Sequence, residues 1–477
     1  MATDTVRQRA SHRESEQTRV EQCVQWARRC IRGQVFRPGM RLPSIRALAA
    51  QRGVSPFTVA EAYARLAAAG DVEARRGSGY YVRAREPTLR ASAPSERDTA
   101  IDLSWLLHHM LAGGDARGPG LGVLPPSWLD GADIAFAVRA IGRGGPARWL
   151  ASGTPYGYAP LRALLQQRIA SCGIVASRDG IVLTTGITHA LNLVLRVLVT
   201  PGETVLVLDP CWFGALGVLA AHGARVVGVR CAPTGPDLER FAALVESESP
   251  KLVVASAAGQ NPTGLSLSAK TARRFVEIAA RAGVPIFEDD AYADLCSTPG
   301  VRFAAIGGLD HAIHAGSFSK TLAANVRVGF VACDAALAAT LADAKVLTGF
   351  TTPELNERLV HTLLVESRYD RYVAALRARL DDARAKTLAT LGGLGIDVFG
   401  RPRDGLFAWI RAGADTNVLA AQWRERGLLL APGSLFSPTQ EASEWMRWNV
   451  ATPLDAAVMS LLRSLKRKRR TRNAPAG

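Results

Sequence analysis

Between Ile181 and Val331, short solid apolar runs alternate with longer stretches of helical period. That alternation constrains the fold more than any other feature of the chain. The runs are Ile181-Val-Leu, Thr204-Val-Leu-Val-Leu, Arg225-Val-Val-Gly-Val, Lys251-Leu-Val-Val-Ala, Val284-Pro-Ile-Phe and Val326-Arg-Val-Gly-Phe-Val. A strand apolar on both sides has to be covered on both sides, which is the condition of a mostly parallel sheet between helical layers. The spacing therefore predicts an α/β body. A long helical segment is expected from about Pro353 to about Leu391. Shorter strands at Phe407-Ala-Trp-Ile and Trp445-Met-Arg-Trp-Asn-Val predict a smaller C-terminal α+β lobe. With 477 residues there is room for this body and a further domain.

The first part of the chain is of another kind. Residues 1–16 are polar and are expected to be flexible. Val20, Cys23, Val24, Ala27, Cys30 and Ile31 have helical spacing. A second, short helix is expected to start at Pro43 and to end at Gly53. A third starts with Ser55 as N-cap and Pro56 as first residue, and closes at Gly70. Val72 to Val82 reads as two strands around the basic turn Arg75-Arg76-Gly77-Ser78-Gly79. Helix, helix-turn-helix and hairpin in that order make a winged helix-turn-helix over residues 17–83. Residues 84–100, polar and holding Pro87 and Pro94, read as a linker to the body at 101–462.

Charge agrees with this division. The formal net charge is +16. Residues 1–85 hold 16 arginines against 7 acids, and the basic tail 463–477 holds 7 basic residues and no acid. The rest balances to zero. A basic module on a neutral body calls for a polyanion partner, and a winged helix offers an exposed helix and a basic hairpin to double-stranded DNA. The candidate DNA-binding residues are Arg41, Ser44 and Arg46, then Ser55, Phe57, Thr58 and Arg65, then Arg75 and Arg76 of the hairpin. The tail run Lys466-Arg-Lys-Arg-Arg reads as a solvated helix end. No transmembrane span is expected, since the apolar stretch Ile187 to Val199 carries His189, Asn192 and Arg196. The N-terminus mixes Arg7, Arg9 and Arg13 with Glu14 and Glu16 and has no apolar centre, so no secretory signal is expected. Seven scattered cysteines without a CxxC fit reduced thiols in a cytoplasm, and neither disulfides nor a metal site is expected.

The stretch Arg41-Leu-Pro-Ser-Ile-Arg-Ala-Leu-Ala, with Val54-Ser-Pro-Phe-Thr-Val, Tyr63-Ala-Arg-Leu and Arg76-Gly-Ser-Gly-Tyr-Tyr-Val, resembles the GntR family of bacterial regulators over about residues 17–83. The resemblance implies operator DNA as partner. Many relatives put a basic residue just after the N-cap serine, where this chain has Pro56 followed by Phe57.

The body carries its own chemistry. Lys320, in Gly316-Ser-Phe-Ser-Lys-Thr-Leu, is one of only seven lysines beside 51 arginines. Arginine supplies charge equally well, but only lysine readily sheds its proton to attack a carbonyl, so Lys320 is a candidate for a Schiff base with an aldehyde cofactor. Asp289-Asp-Ala-Tyr292 ends an apolar run, where open α/β sheets place ligands. A buried carboxylate there can hold a pyridine nitrogen protonated, and the phenol can bond a ring hydroxyl. Asn261-Pro-Thr-Gly places an amide at a tight turn, and Trp212 follows a strand with a flat indole for stacking. Ile187 and Thr188 open a helix whose N–H groups suit a phosphate, with Ser317 and Arg327 adding a hydroxyl and a guanidinium. Gly393-Leu-Gly395 does not follow a strand and is not read as a nicotinamide site.

Together these pieces resemble the fold-type I pyridoxal phosphate (PLP)-dependent aminotransferases over about residues 101–462. By that resemblance Lys320 is the catalytic lysine and the covalent anchor. Asp289 pairs with the pyridine nitrogen, Tyr292 and Asn261 bond the ring oxygen, and Trp212 stacks on the ring. Ile187, Thr188, Ser317 and Arg327 take the phosphate, and Arg447 takes the α-carboxylate of the substrate or effector. Where relatives often have a tyrosine about five residues before Gly157, this chain has Ser152, with Tyr156 and Tyr158 nearby. The two resemblances in one chain resemble the MocR-type regulators. They imply a cytoplasmic, homodimeric transcription regulator that binds PLP and responds to a small amino compound or to PLP itself. Two other readings stand beside it: an aminotransferase with an appended DNA-binding module, and a regulator whose large domain serves only to dimerise.

Overall fold

The computed structural model describes residues 18–32, 36, 39–75, 78–82, 106, 108, 117–145, 150–297 and 300–472. It divides into two compact units, Met1–Ser95 and Glu96–Gly477. The expected flexible segment 1–16 and linker 84–100 lie outside the described residues.

In the first unit three helices, α1 (Arg19–Arg32), α2 (Ile45–Arg52) and α3 (Pro56–Ala68), precede an antiparallel pair, β1 (Val72–Arg75) and β2 (Gly79–Val82). Pro43 does not open α2 as expected. Ser44 is the N-cap, its Oγ accepting from Ala47 N at 3.2 Å, and Pro43 precedes it. The Pro43 carbonyl instead accepts from the Tyr63 hydroxyl at 3.0 Å. Gly53, at φ 61°, ends α2 in the left-handed region that glycine enters without penalty. The expected N-cap Ser55 and first-turn Pro56 are in place on α3. A feature the sequence did not reveal is a third chain beside the hairpin: Leu42 N donates to Tyr80 O and Val82 N to Met40 O, both at 2.8 Å. The core is made by Leu48, Val59, Ala62, Tyr63, Leu66, Val72 and Val82 with Cys23, Val24 and Ala27 of α1.

The second unit is built on an eight-stranded sheet. Its strands are β3 (Ile181–Thr184), β4 (Thr204–Asp209), β5 (Arg225–Ala232), β6 (Gly235–Pro236), β7 (Leu252–Ala255), β8 (Ile286–Asp289), β9 (Ala312–Ser317) and β10 (Gly329–Ala332), in the order β3-β10-β9-β8-β7-β4-β5-β6. β9, β8, β7, β4 and β5 pair in parallel, while β10 runs against both β3 and β9. The mostly parallel sheet is thus present. Period-two alternation buries both faces: Val205 and Val207 of β4 point into one core, Leu206 and Leu208 into the other. The smaller lobe holds β11 (Phe407–Arg411), β12 (Ala431–Pro432) and β13 (Trp445–Asn449) in the order β11-β13-β12.

The expected long helix is two, Glu354–Val365 and Arg368–Gly393, broken at Ser367, which takes φ 53°. The last helix, Ala456–Arg472, carries Lys466-Arg-Lys-Arg-Arg in its final turns, so the basic run lies at a helix end as expected.

Candidate cofactor pocket and nucleic-acid surface

On the first unit the polar positions of α2 and α3 face outward. Arg41, Ser44, Arg46, Ser55, Phe57, Arg65 and Arg75 are exposed and Thr58 half-exposed, while Arg76 lies outside the described residues. Phe57, in the first turn of α3, is 81% exposed, a large aromatic with no place in the core. The seryl oxygens have local work. Ser55 Oγ accepts from Thr58 N at 3.1 Å and shares a hydrogen bond with Thr58 Oγ1, as Ser44 Oγ caps α2. Arg65 pairs with Glu61 at 3.0 Å, and Arg75 pairs with Glu73 at 2.6 Å and lies over the Tyr81 ring. Exposed pairs of this kind hold about 1 kcal/mol or less, so a phosphate can displace the carboxylate.

On the second unit, the ends of the parallel strands meet the small lobe. β8 ends at Asp289, β9 leads through Ser317 to Lys320, β4 leads to Trp212, β7 leads to Asn261, and β3 leads through Gly186 into the helix Ile187–Leu198. Arg447 reaches the same place from β13. One cleft is lined by Ile187, Thr188, Trp212, Phe213, Asp289, Tyr292, Ser317, Ser319, Lys320, Arg327 and Arg447 together with Gly122 and Val123. Asn261 lines the cavity behind it with Trp212, Asp289 and Tyr292. Every residue named from the sequence for this site is therefore in one neighbourhood.

Two close approaches depend on glycine. A Cβ on Gly186, at φ 100°, would lie 2.9 Å from Arg327 Nη2, and one on Gly214 would strike the Trp212 indole at 2.2 Å. Gly186 thus lets the guanidinium reach the helix start, where Arg327 also donates to Thr185 O and, at 3.1 Å, to Ser319 Oγ. The N–H groups of Ile187 and Thr188 belong to the first turn, which has no partner inside its own helix. Guanidinium, helix start and hydroxyls make a site for a dianion.

Lys320 Nζ donates to Gly122 O at 2.9 Å and lies 5.9 Å from the centre of the Tyr292 ring. Withdrawal from water, with Arg447 nearby, lowers its pKa to about 8. Burial raises Asp289 to about 6, although Ala291 N donates to its Oδ1 at 3.1 Å. Tyr292 is pushed above its usual range by burial and receives a hydrogen bond from Asn261 Nδ2 at 3.4 Å. Arg447 is 1% exposed, ringed by Phe213, Phe407 and Phe436, and lowered to about 10 by burial. Its Nη1 donates to Asn261 Oδ1 at 3.1 Å and its Nη2 to Gly120 O at 2.6 Å, while Nε is buried without an acceptor. An amine near its deprotonation point, a buried carboxylate, an anion cradle and a cation short of an acceptor are thus assembled in one cleft.

Tyr156 and Tyr158 do not line this cleft. Arg162 covers the first ring and Arg358 the second. Ser152 instead borders a separate apolar cleft with Val346, Phe350 and Leu355. Sequence reading did not single out the backbone segment 117–123, whose carbonyls reach Lys320 and Arg447; its Gly-Pro-Gly-Leu-Gly run is the signal of close packing that could have found it.

Residues 134–465 match the family model described as aminotransferase class I and II, and residues 20–82 match the gntR family of bacterial regulatory proteins. The chain is 28% identical over 445 residues to the HTH-type transcriptional regulator YdcR of Escherichia coli, covering 90% of this chain and 94% of that one. It is 30% identical over 438 residues to the HTH-type transcriptional regulator TauR of Rhodobacter capsulatus, covering 86% and 88%. Among solved structures it is similar to the α-aminoadipate aminotransferase LysN of Thermus thermophilus in complex with N-(5′-phosphopyridoxyl)-L-leucine. That likeness has a TM-score of 0.68 at 26% identity, over 79% of this chain and 97% of that one.

Proposed function

The chain belongs to the aminotransferase class I and II family, joined to a gntR-type domain in the MocR arrangement, and from that premise we propose that it is a DNA-binding transcription regulator that senses an amino compound through pyridoxal phosphate. The observation that carries this reading is the meeting of Lys320, Asp289, Arg327 and Arg447 in one cleft of a chain that also presents a basic winged helix.

The residues present fit the cofactor: an anion cradle at Gly186–Thr188, a buried carboxylate, a flat indole and a lysine of lowered pKa all face the same cleft. When bound, PLP supplies an aldehyde that condenses with primary amines and a ring that draws electrons from the carbon they carry. Arg327, Ser317 and the N–H groups of Ile187 and Thr188 hold its phosphate. Asp289 would keep a proton on the ring nitrogen, Trp212 would supply a flat surface for the ring, and Tyr292 with Asn261 would bond the ring oxygen. Lys320, whose amine loses its proton at about pH 8, would be the group that anchors the cofactor. Arg447 would receive the carboxylate of the incoming amine on its guanidinium.

The same groups would also suit an amino-transfer half-reaction, so transaminase activity stands as a second reading, checked by incubating the PLP-loaded protein with amino acids and assaying for keto acid. Work in the cytoplasm beside DNA, and as a homodimer, completes the reading. Support for a second copy comes from Leu150, Leu347, Phe350 and Leu355, apolar side chains exposed around the cleft at Ser152. The test is operator DNA binding by the purified chain, with and without PLP and a panel of amino acids. A change in affinity or footprint is expected; an unchanged footprint under every addition would sink the sensor reading.

A further inference from the structure

The segment Arg117 to Val123 lies along the lobe sheet as an added strap. Leu429 N donates to Arg117 O at 2.8 Å, Gly120 N to Leu429 O at 2.9 Å, and Asn449 N to Pro119 O at 2.9 Å. Only a chain without side chains packs so closely: a Cβ on Gly118 would lie 2.6 Å from Leu429 O, and one on Gly120 would lie 2.4 Å from the Leu430 carbonyl carbon. The strap ends on the cleft. Gly120 O receives Arg447 Nη2 at 2.6 Å, and Gly122 O receives Lys320 Nζ at 2.9 Å. Asn449, two residues beyond Arg447 on β13 and 2% exposed, pins the strap from below. Its Nδ2 donates to Leu121 O at 3.0 Å and to Val123 O at 2.8 Å, while Ala451 N fixes its Oδ1 at 2.9 Å.

We propose that residues 117–123 are an internal competitor for Arg447, held in place by Asn449 as a positioning residue, and that the carboxylate of an amino acid captured at the cofactor site releases the strap. This rests on the reading of the cleft as a PLP-dependent sensor. The chemistry favours the exchange. A carboxylate is a stronger acceptor for a guanidinium than a peptide carbonyl, so the carboxylate of the amino acid would draw Arg447 Nη2 from Gly120 O. Gly120, which is buried, then has a bare carbonyl, a costly state that is relieved by moving toward water. The strap follows the connection from the DNA-binding unit in the chain, so its release alters the segment on which that unit is tethered.

Amide hydrogen exchange on the full-length protein tests this in three states: without addition, with PLP, and with N-(5′-phosphopyridoxyl)-L-leucine, a stable conjugate carrying phosphate, ring and carboxylate. The amides of Gly120, Leu429 and Asn449 are expected to exchange roughly tenfold faster with the conjugate than without addition, the loss of one charge-assisted hydrogen bond. PLP alone is expected to give a smaller rise. Equal exchange in all three states, with the conjugate seen bound by its absorbance, overturns the strap and leaves the sensor reading standing. Failure of both ligands to bind overturns the sensor reading itself. Asn449→Ala is expected to speed the same amides without ligand and to shrink the ligand-dependent change in DNA affinity; wild-type exchange in that variant removes Asn449 from the role. Should the variant not fold, the comparison on the unaltered protein still decides.

Discussion

A lysine whose pKa has fallen from 10.5 to about 8 gains a neutral fraction in a range where an ordinary lysine has almost none. Uptake of PLP onto Lys320, followed as a borohydride-trapped adduct, is therefore expected to quicken as pH rises through about 8; a rise centred near 10.5 would contradict the withdrawn environment seen for this side chain. Lys320→Arg keeps the charge and is expected to abolish the adduct. Arg447 contributes to the lowered value, so Arg447→Ala is expected to move the midpoint upward. The same variant should lose about 2–5 kcal/mol of affinity for carboxylated conjugates, measured by calorimetry, because a buried guanidinium pairs with that group. Reading the sequence reached these residues because the chemistry demands particular side chains: a primary amine, a carboxylate, a fork of N–H donors. It did not reach Gly120 and Gly122, whose carbonyls do the contacting. A carbonyl is present at every position and leaves no mark in residue type.

Among elements, the helix start at Gly186 is the most sensitive to a single added carbon. Gly186→Ala forces a Cβ onto Arg327 and an alanine into φ 100°, and is expected to weaken PLP binding about tenfold or more, seen as a raised concentration for half-saturation. In the first unit, Ser55→Ala removes the cap of α3 and is expected to cost about 0.5–2 kcal/mol in denaturant unfolding of that unit. The strands that were plain in the sequence are solid Val/Leu runs. β9 was not foreseen, although it leads to Lys320, because His314 and Gly316 interrupt its apolar pattern. Its histidine is paid for across the ladder: His314 faces Glu288 of β8 in register, with Nδ1 3.1 Å from Glu288 Oε2. The break at Ser367 was hidden for the opposite reason. It has no proline or glycine, and its left-handed backbone is imposed by the packing of two helices that each read as continuous.

At the scale of the whole chain, charge is the most readable property, since it needs no structure to be counted. It places the polyanion partner at the basic first unit and leaves the body neutral. If Arg41, Arg46, Arg65, Arg75 and Arg76 each neutralise one phosphate, the logarithm of operator affinity is expected to fall with the logarithm of salt at a slope of roughly −4 to −5 per bound unit. A slope near −1 would remove most of these residues from the contact. The domain order was readable for the same reason. The course of the strap within the second unit was not, because its backbone bonding follows from the register of the lobe sheet. That sheet also gives the cleft a form of logic. Lys320 and Arg327 sit on the β9–β10 connection of the large sheet, and Arg447 sits on β13 of the small one. A molecule with only an amine addresses one sheet, and a molecule with only a carboxylate addresses the other. In the proposed sensor a free amino acid, carrying both a fixed distance apart, would close both contacts at once, where a simple amine or a simple acid would close only one, which is the response of a coincidence detector.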